Sequence, residues 1–356
     1  MRQFRFVTII LSVALLAGHA RADKVEAFIK AEMEKRNIPG LALVIVRDGK
    51  TTKSAAYGLA NVELNVPATL NTVFEIGSVT KQITAAGILL LQQDGKLSVD
   101  DKISQFIPNT PASWTNITVR HLLNHTSGIK SYTGLNGFEL TKKLTQKEFI
   151  AALAPLPLEF APGEQYKYNN SGYSMLGYII ENASGKNYWD FLGERIFAPL
   201  GMTTATNRQP RLVVPNRADG YERKNGQQIN RDYDLTDVFA AGAIVATVGD
   251  LAKWNASLDS DNLLSAASKE QMWTSGKLNN GKPHGYGFGW RLEPYHDHKN
   301  IGHSGSTSGF SASLQRFPDD NLCVILLCNS DESNVATTLA RTVAGFYFEK
   351  KIAAQP

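Results

Sequence analysis

One stretch constrains the fold of this chain more than any other: the run Leu322-Cys-Val-Ile-Leu-Leu-Cys-Asn329. A short apolar run entered through the turn residues Pro318-Asp-Asp-Asn321 reads as a buried central strand. Side chains alternate along a strand, so Cys323 and Cys328 point to opposite faces and cannot bond to each other there. Both read as small buried hydrophobes, although an exported protein tolerates disulfides. Two cysteines are too few for a disulfide framework or a Cys-rich zinc site.

Sheet patterns occupy both ends of the chain, with helices between. Asp23 to Ile38 is an amphipathic helix carrying Val25, Phe28, Ile29 and Met33 on one face, stopped by Pro39-Gly40. Leu41 to Arg47 is a strand, Asp48-Gly49 a hairpin turn, and Thr51 to Tyr57 the returning strand. Val79 to Gln93 is apolar on most sides, a buried helix closed by Gly95. Tyr173 to Ala183 and Tyr188 to Ile196 read as further helices, and Thr247-Val-Gly-Asp250 resembles a capping box. Near the end, Phe310 to Phe317 alternates Phe310, Ala312 and Leu314 against Ser311, Ser313 and Gln315, and Val335 to Phe346 is a last helix. The pattern predicts an α+β fold: one antiparallel sheet built from both termini, flanked by helices, with a mostly helical inserted region. The expected division puts 23–75 and 240–356 in the sheet region and 76–239 in the helical one.

Composition sets outer limits. With 43% hydrophobic and 20% charged residues over 356 positions, the chain is neither disordered nor fibrous and can fill a core. Met1 to Ala22 reads as a secretory signal: Arg2 and Arg5, the apolar run Phe6 to Gly18, then Ala20-Arg-Ala22 as a small-x-small cleavage site. The apolar run is too short for a comfortable membrane span, and no Cys stands at the cleavage point to carry a lipid. Removing its three arginines lowers the net charge from +4 to +1. A nearly neutral chain gives no electrostatic case for nucleic acid or an anionic membrane. Export without an anchor predicts a periplasmic location if the source is Gram-negative.

The sharpest chemical signal is Phe74-Glu-Ile-Gly-Ser78-Val-Thr-Lys81, at the mouth of the buried helix. Residues three apart share a helical face, so Lys81 can reach the Ser78 hydroxyl. A serine needs an adjacent base, and a lysine serves if burial or a neighbouring cation lowers its pKa. Four letters alone fit equally a helix-capping serine and a solvated lysine. Two further segments shift the weighting: Tyr168-Asn-Asn170, in a loop before a helix, and Gly302-His-Ser-Gly-Ser306, leading into a strand.

With these three in order, the chain resembles the penicillin-recognising serine hydrolases. The nearest branch holds class C β-lactamases, D-alanyl-D-alanine carboxypeptidases and related esterases. That family shows Ser-x-x-Lys, Tyr-x-Asn and then Lys-Thr-Gly or His-x-Gly; here they are Ser78 to Lys81, Tyr168 to Asn170 and His303-Ser304-Gly305. His121 to Ile129, Pro199 to Met202, Gly242 to Thr247 and Tyr286 to Trp290 also look like family landmarks, and the likeness runs from about Val25 to Phe348. The resemblance implies a β-lactamase/transpeptidase-like fold with the catalytic cleft between sheet and helical region. It implies Ser78 as nucleophile, Lys81 and Tyr168 as the proton-handling pair, and the amides of Ser78 and Ser306 as an oxyanion hole. Asn170, His303, Ser304 and Gly305 would bind substrate, with Asn170 orienting Lys81 or a substrate amide. No cofactor and no metal is implied. Tyr and Lys have unperturbed pKa values of about 10 and about 10.4, so one cation must stabilise a phenolate or the two must share a proton.

The third motif departs from class C β-lactamases, which carry Lys where this chain has His303. A histidine is mostly neutral near pH 7, so its hold on a substrate carboxylate should be weaker and pH-dependent. No Glu-x-x-Leu-Asn segment of the class A kind is present, which removes support for deacylation by a separate glutamate. The expected activity is an exported serine hydrolase using a Ser78 acyl-enzyme on D-alanyl-D-alanine-type peptides or related amides, with peptidoglycan among the candidate partners. A carboxylesterase, a β-lactamase and a non-catalytic wall-binding protein are the alternatives. Loops Ser131 to Gln146 and Arg208 to Asp237 should discriminate among the enzymes.

Other constellations compete weakly. Ser304 in Gly302-His-Ser-Gly-Ser306 faintly resembles a chymotrypsin-type nucleophile but leaves Ser78, Lys81 and Tyr168 unused. His296-Asp-His298 could hold a metal but lacks an evident third ligand and reads as an exposed turn. His121 and His125 read as structural or cleft-lining. Tyr286 to Trp290 reads as strand core, with one aromatic available to touch substrate.

Overall fold

The computed structural model describes residues 24–133, 135, 144–209, 211–231, 238–332 and 334–348. The signal expected over Met1 to Ala22 lies outside them, as do 134, 136–143, 210 and 232–237 of the two discriminating loops.

Seven strands form one antiparallel sheet: β1 (Gly40–Arg47), β2 (Lys50–Asn61), β3 (Val66–Pro67), β4 (Arg291–Leu292), β5 (Ile301–Thr307), β6 (Phe310–Phe317) and β7 (Leu322–Cys328). Their order is β3-β2-β1-β7-β6-β5-β4. The apolar run is therefore the middle strand, and all seven of its residues are buried. It pairs with the first strand, Leu43 opposite Leu326, and with the penultimate one, Ser313 opposite Leu326. The sheet is built from both termini, as the sequence pattern predicts. Asp48 (φ 51) and Gly49 (φ 71) supply the positive dihedrals that the tight β1–β2 hairpin needs.

Alternation along β7 divides the molecule into two cores. Cys328, Leu326 and Val324 face a smaller core closed by α1 (24–36) and α5 (Val335–Gly345), with Val25, Ile29 and Leu339. Cys323, Ile325 and Leu327 face the larger core. The two thiols thus sit on opposite faces, both free, and burial pushes each up to about 12. The polar row of β6 does not meet solvent. Ser313 accepts from the Thr337 hydroxyl at 3.2 Å and Gln315 accepts from Arg341 at 3.4 Å, so α5 satisfies these groups as it covers them.

The larger core contains α2 (Thr80–Gln93), α3 (Asn170–Ser184) and α4 (Val248–Ser257). Every residue of α2 from Thr80 to Leu91 is buried, and Gly95 (φ 69) ends it. A 3₁₀ turn, Gly77–Val79, precedes it. Helix α3 begins three residues earlier than the apolar periodicity suggests, because Asn169 caps it by accepting from the Gly172 amide at 2.7 Å. Thr247 caps α4 as expected (3.1 Å to the Asp250 amide), but Asp250 does not close the box. Its carboxylate turns to the Thr204 amide at 2.9 Å and ties down a neighbouring turn. Tyr286 to Trp290 is not a strand. Gly285 and Gly289, at φ 77 and 80, break the ladder, and the segment packs as irregular buried chain.

Leu326 is fully buried in the smaller core beside α5. Leu326→Ala should lower unfolding free energy by about 2–5 kcal/mol. Urea titration of the two proteins checks this; a difference below about 1 kcal/mol would mean this core is looser than described.

Candidate active site

Ser78 sits in the 3₁₀ turn, and Lys81 follows in the first turn of α2. Lys81 has 0% exposure, and its Nζ has three oxygen partners: Ser78 Oγ at 3.1 Å, Asn170 Oδ1 at 2.8 Å and the Ala241 carbonyl at 2.7 Å. An ammonium donates to all three. A neutral amine donates to the two carbonyl oxygens, which can only accept, and turns its lone pair toward the Ser78 O–H. Burial, and then the nearby Arg291 charge, hold the Lys81 pKa well below its usual 10.5, which favours the second form. The sequence places Asn170 correctly beside Lys81. Ala241 escaped it, because a backbone carbonyl has no residue signature.

Tyr168 closes the other side. The Lys81 nitrogen lies 4.8 Å from its ring centre. Burial drives the Tyr168 pKa up, and the nearby Ser78 hydroxyl only eases this, lying outside hydrogen-bonding geometry. Burial works against a phenolate, and the Tyr168 hydroxyl, with no hydrogen-bond partner among the described residues, is not placed to share a proton with Lys81 before substrate enters. His125 backs this ring, 4.4 Å away between centres, and accepts from the Asn169 amide at 3.1 Å.

Strand β5 presses against the turn that carries Ser78. A Cβ on Gly305 would overlap the Ile76 carbonyl oxygen and lie 3.2 Å from the Ser78 amide nitrogen. A Cβ on Gly77 (φ 49) would lie 2.7 Å from the Ser306 nitrogen. Two bare backbones thus bring the Ser78 and Ser306 amides to one corner, which is what an oxyanion hole needs.

The β-lactamase family model matches residues 25–346, nearly the whole described chain. The chain belongs to the β-lactamase family. It is 32% identical over 318 residues to Penicillin-binding protein 4* of Bacillus subtilis, covering 84% of this chain and 70% of that protein. It is 28% identical to Protein flp of Staphylococcus aureus and spans 64% of its length. Among solved structures, D-amino acid amidase from Ochrobactrum anthropi SV3, complexed with D-phenylalanine, superposes with a TM-score of 0.80 at 25% identity, covering 92% of this chain and 98% of that one.

Within this β-lactamase-family serine hydrolase, His303 behaves otherwise than its motif suggests. It is buried, and both ring nitrogens are engaged. Nδ1 meets the Ser304 carbonyl at 2.6 Å, so it carries the hydrogen; Nε2 then accepts from the Tyr286 hydroxyl at 2.8 Å. Burial, aided by Lys81, pushes its pKa down to about 3. The expected pH-dependent grip of His303 on a carboxylate therefore does not follow; a neutral His303 joins Tyr286 to the edge strand. The cation of the cleft is Arg291, whose guanidinium carbon lies 5.5 Å from the Tyr168 ring centre. The sequence signal for it was a lone Arg directly after the Tyr286 to Trp290 landmark. On β5, Ser304 is half-buried, Gly305 buried and Ser306 exposed.

His121 and His298 have structural partners of their own. His121 Nδ1 accepts from the Thr118 amide at 3.1 Å and caps a helix. His298 pairs with Asp320 at 2.8 Å and stacks on Phe348. Among the described residues no group of three or more His, Cys, Asp or Glu could hold a metal ion.

Two predictions follow from this geometry. Gly305→Ala should cut turnover on the order of a hundredfold or more while circular dichroism stays native, because the β5 amide must retreat from Ser78. Stability should also fall in acid. An unfolded chain protonates His125 and His303 near pH 6.5, whereas the folded chain resists, at His303 until about pH 3. The unfolded state then binds more protons, so stability is lost as pH falls through that window. Melting temperatures that stayed flat between these limits would contradict the buried neutral imidazoles.

Proposed function

We propose that this chain is an exported hydrolase that cleaves D-alanyl-D-alanine-type peptides, or related amides whose leaving group carries a carboxylate. The observation that carries this reading is the buried Lys81 nitrogen 3.1 Å from Ser78 Oγ, with Arg291 standing over Tyr168. Ser78 gives its proton to Lys81 as Oγ attacks the carbonyl. The Ser78 and Ser306 amides hold the oxyanion. The C–N bond breaks as the leaving amine takes the Tyr168 proton, and Lys81 resupplies the phenol. Water then enters the vacated place and gives a proton to the same pair as its oxygen attacks the ester carbonyl; the C–O bond to Ser78 breaks, and Oγ takes that proton back as the acid leaves.

Arg291 gives the reading its substrate class. A fixed guanidinium beside the leaving side recognises a free carboxylate and holds its charge at any working pH, which His303 does not. The names of the relatives, a penicillin-binding protein and a D-amino acid amidase, support an amide bond flanked by D-residues. The leader-like Met1 to Ala22 supports export toward peptidoglycan.

The deciding experiment is intact mass after brief exposure to penicillin, alongside Ser78→Ala. A lasting adduct on the unaltered protein alone is expected, from slow deacylation. Hydrolysed drug without an adduct would instead make it a β-lactamase, and untouched drug would favour the esterase or non-catalytic readings. Tyr168→Phe should lower kcat by about a hundredfold or more. Arg291→Ala should raise KM about tenfold for carboxylate-bearing substrates and less for their amides. Full turnover by Tyr168→Phe would remove Tyr168 from the proton path.

A further inference from the structure

Arg291 belongs to two spaces. Its guanidinium lies in the cleft over Tyr168, and the same side chain lines a cavity of about 500 Å³ on the α5 side of the sheet. Strand register shows how. Arg291 pairs with Gly302, and Gly302 with Gln315, so the three share one sheet face. Gln315 on that face contacts Arg341 of α5. Because β4 pairs only with Ile301 and Gly302, the outer edge of β5 is bare from His303 onward. The Arg291 side chain turns around that edge and joins cleft to cavity.

The chemistry of the cavity is polar and cationic. Gly302 and Ser304 of β5 form one wall, and Thr337, Thr338 and Arg341 of α5 form another. Among the described residues Glu293 is the one carboxylate in its lining, and it touches both Arg291 and Arg341 at 3.5 Å. Two guanidinium groups against one carboxylate leave a positive excess. Contacts this long on partly exposed groups contribute little, so an incoming carboxylate can compete for either arginine.

We propose that this cavity holds the far part of the leaving group, for leaving groups at least two residues long that end in a carboxylate. The inference rests on the acyl-enzyme reading above. The Ser306 amide holds the scissile carbonyl, and the leaving nitrogen sits by Tyr168. Ser304 lies two residues back along β5, roughly 7 Å for extended chain. One residue on the scissile nitrogen therefore reaches Arg291 and stops. A second passes the bare edge and enters the cavity. By microscopic reversibility the same space selects acceptor amines. The acceptor nitrogen attacks the Ser78 ester carbonyl, the C–O bond to Ser78 breaks, and the amine proton passes through Tyr168 to Ser78 Oγ.

That selection is the test. The acyl-enzyme is loaded from a thioester donor. D-Alanine, D-alanyl-D-alanine and D-alanyl-D-alanine amide are then offered, and the ratio of transfer to hydrolysis is read by mass spectrometry. The ratio is internal to one acyl-enzyme, so differences in active fraction cancel. The dipeptide should exceed both D-alanine and the dipeptide amide by about tenfold. Arg341→Ala, and Thr338→Trp at an exposed position lining the cavity, should each erase that preference. Equal transfer to all three acceptors, or to none, from an acyl-enzyme that forms normally would overturn the proposal. Failure to form any acyl-enzyme would overturn the underlying function instead.

Discussion

A lysine nitrogen sealed from water among three neutral oxygens is the constraint on which the rest of this site depends. Among the described residues no carboxylate contacts it, so a permanent charge there would stand uncompensated against a large desolvation cost. Burial therefore holds the Lys81 pKa well below its ordinary value, and the Arg291 charge adds to the effect. The surrounding architecture follows. Helix α3 starts at Asn170 to deliver one acceptor, and the turn Phe239–Gly242 delivers Ala241 as the other. Phe239 holds an unusual φ of 40 in that turn, local strain at the point where the carbonyl must meet Lys81.

The same economy of charge marks the third motif. A lysine at position 303 would bring another buried amine near Lys81. His303 instead stays neutral through Ser304 and Tyr286, and the positive charge moves to Arg291 on the next strand. Arg291 and Lys81 both lie against the Tyr168 ring, at 5.5 and 4.8 Å from its centre.

Much of the fold was legible because it follows from periodicity. The apolar run of seven, the alternating Phe310 to Phe317 strand and the buried α2 each have one arrangement that hides their apolar groups. The nearness of Ser78 and Lys81 was legible through their spacing, and that of Tyr168 and Asn170 through the motif order of the family resemblance. What escaped depends on tertiary context. Gly285 and Gly289 turn an aromatic run into irregular chain rather than a strand. Asp250 reads as half a capping box, yet its carboxylate serves Thr204. Nothing in a His-x-Gly triplet reveals that both imidazole nitrogens are taken. Arg291 is one arginine among many until the sheet places it beside Tyr168.

The pairing of β1 with β7 joins the first strand of the chain to its last, Leu43 to Leu326. Partners so far apart in sequence make pairing slow. Until β7 arrives, the sheet lacks its middle strand, and β1 and β6 each present an unpaired edge. The hazard for such a half-made sheet is capture of a strand from another chain, so its topology makes folding sensitive to crowding by its own copies.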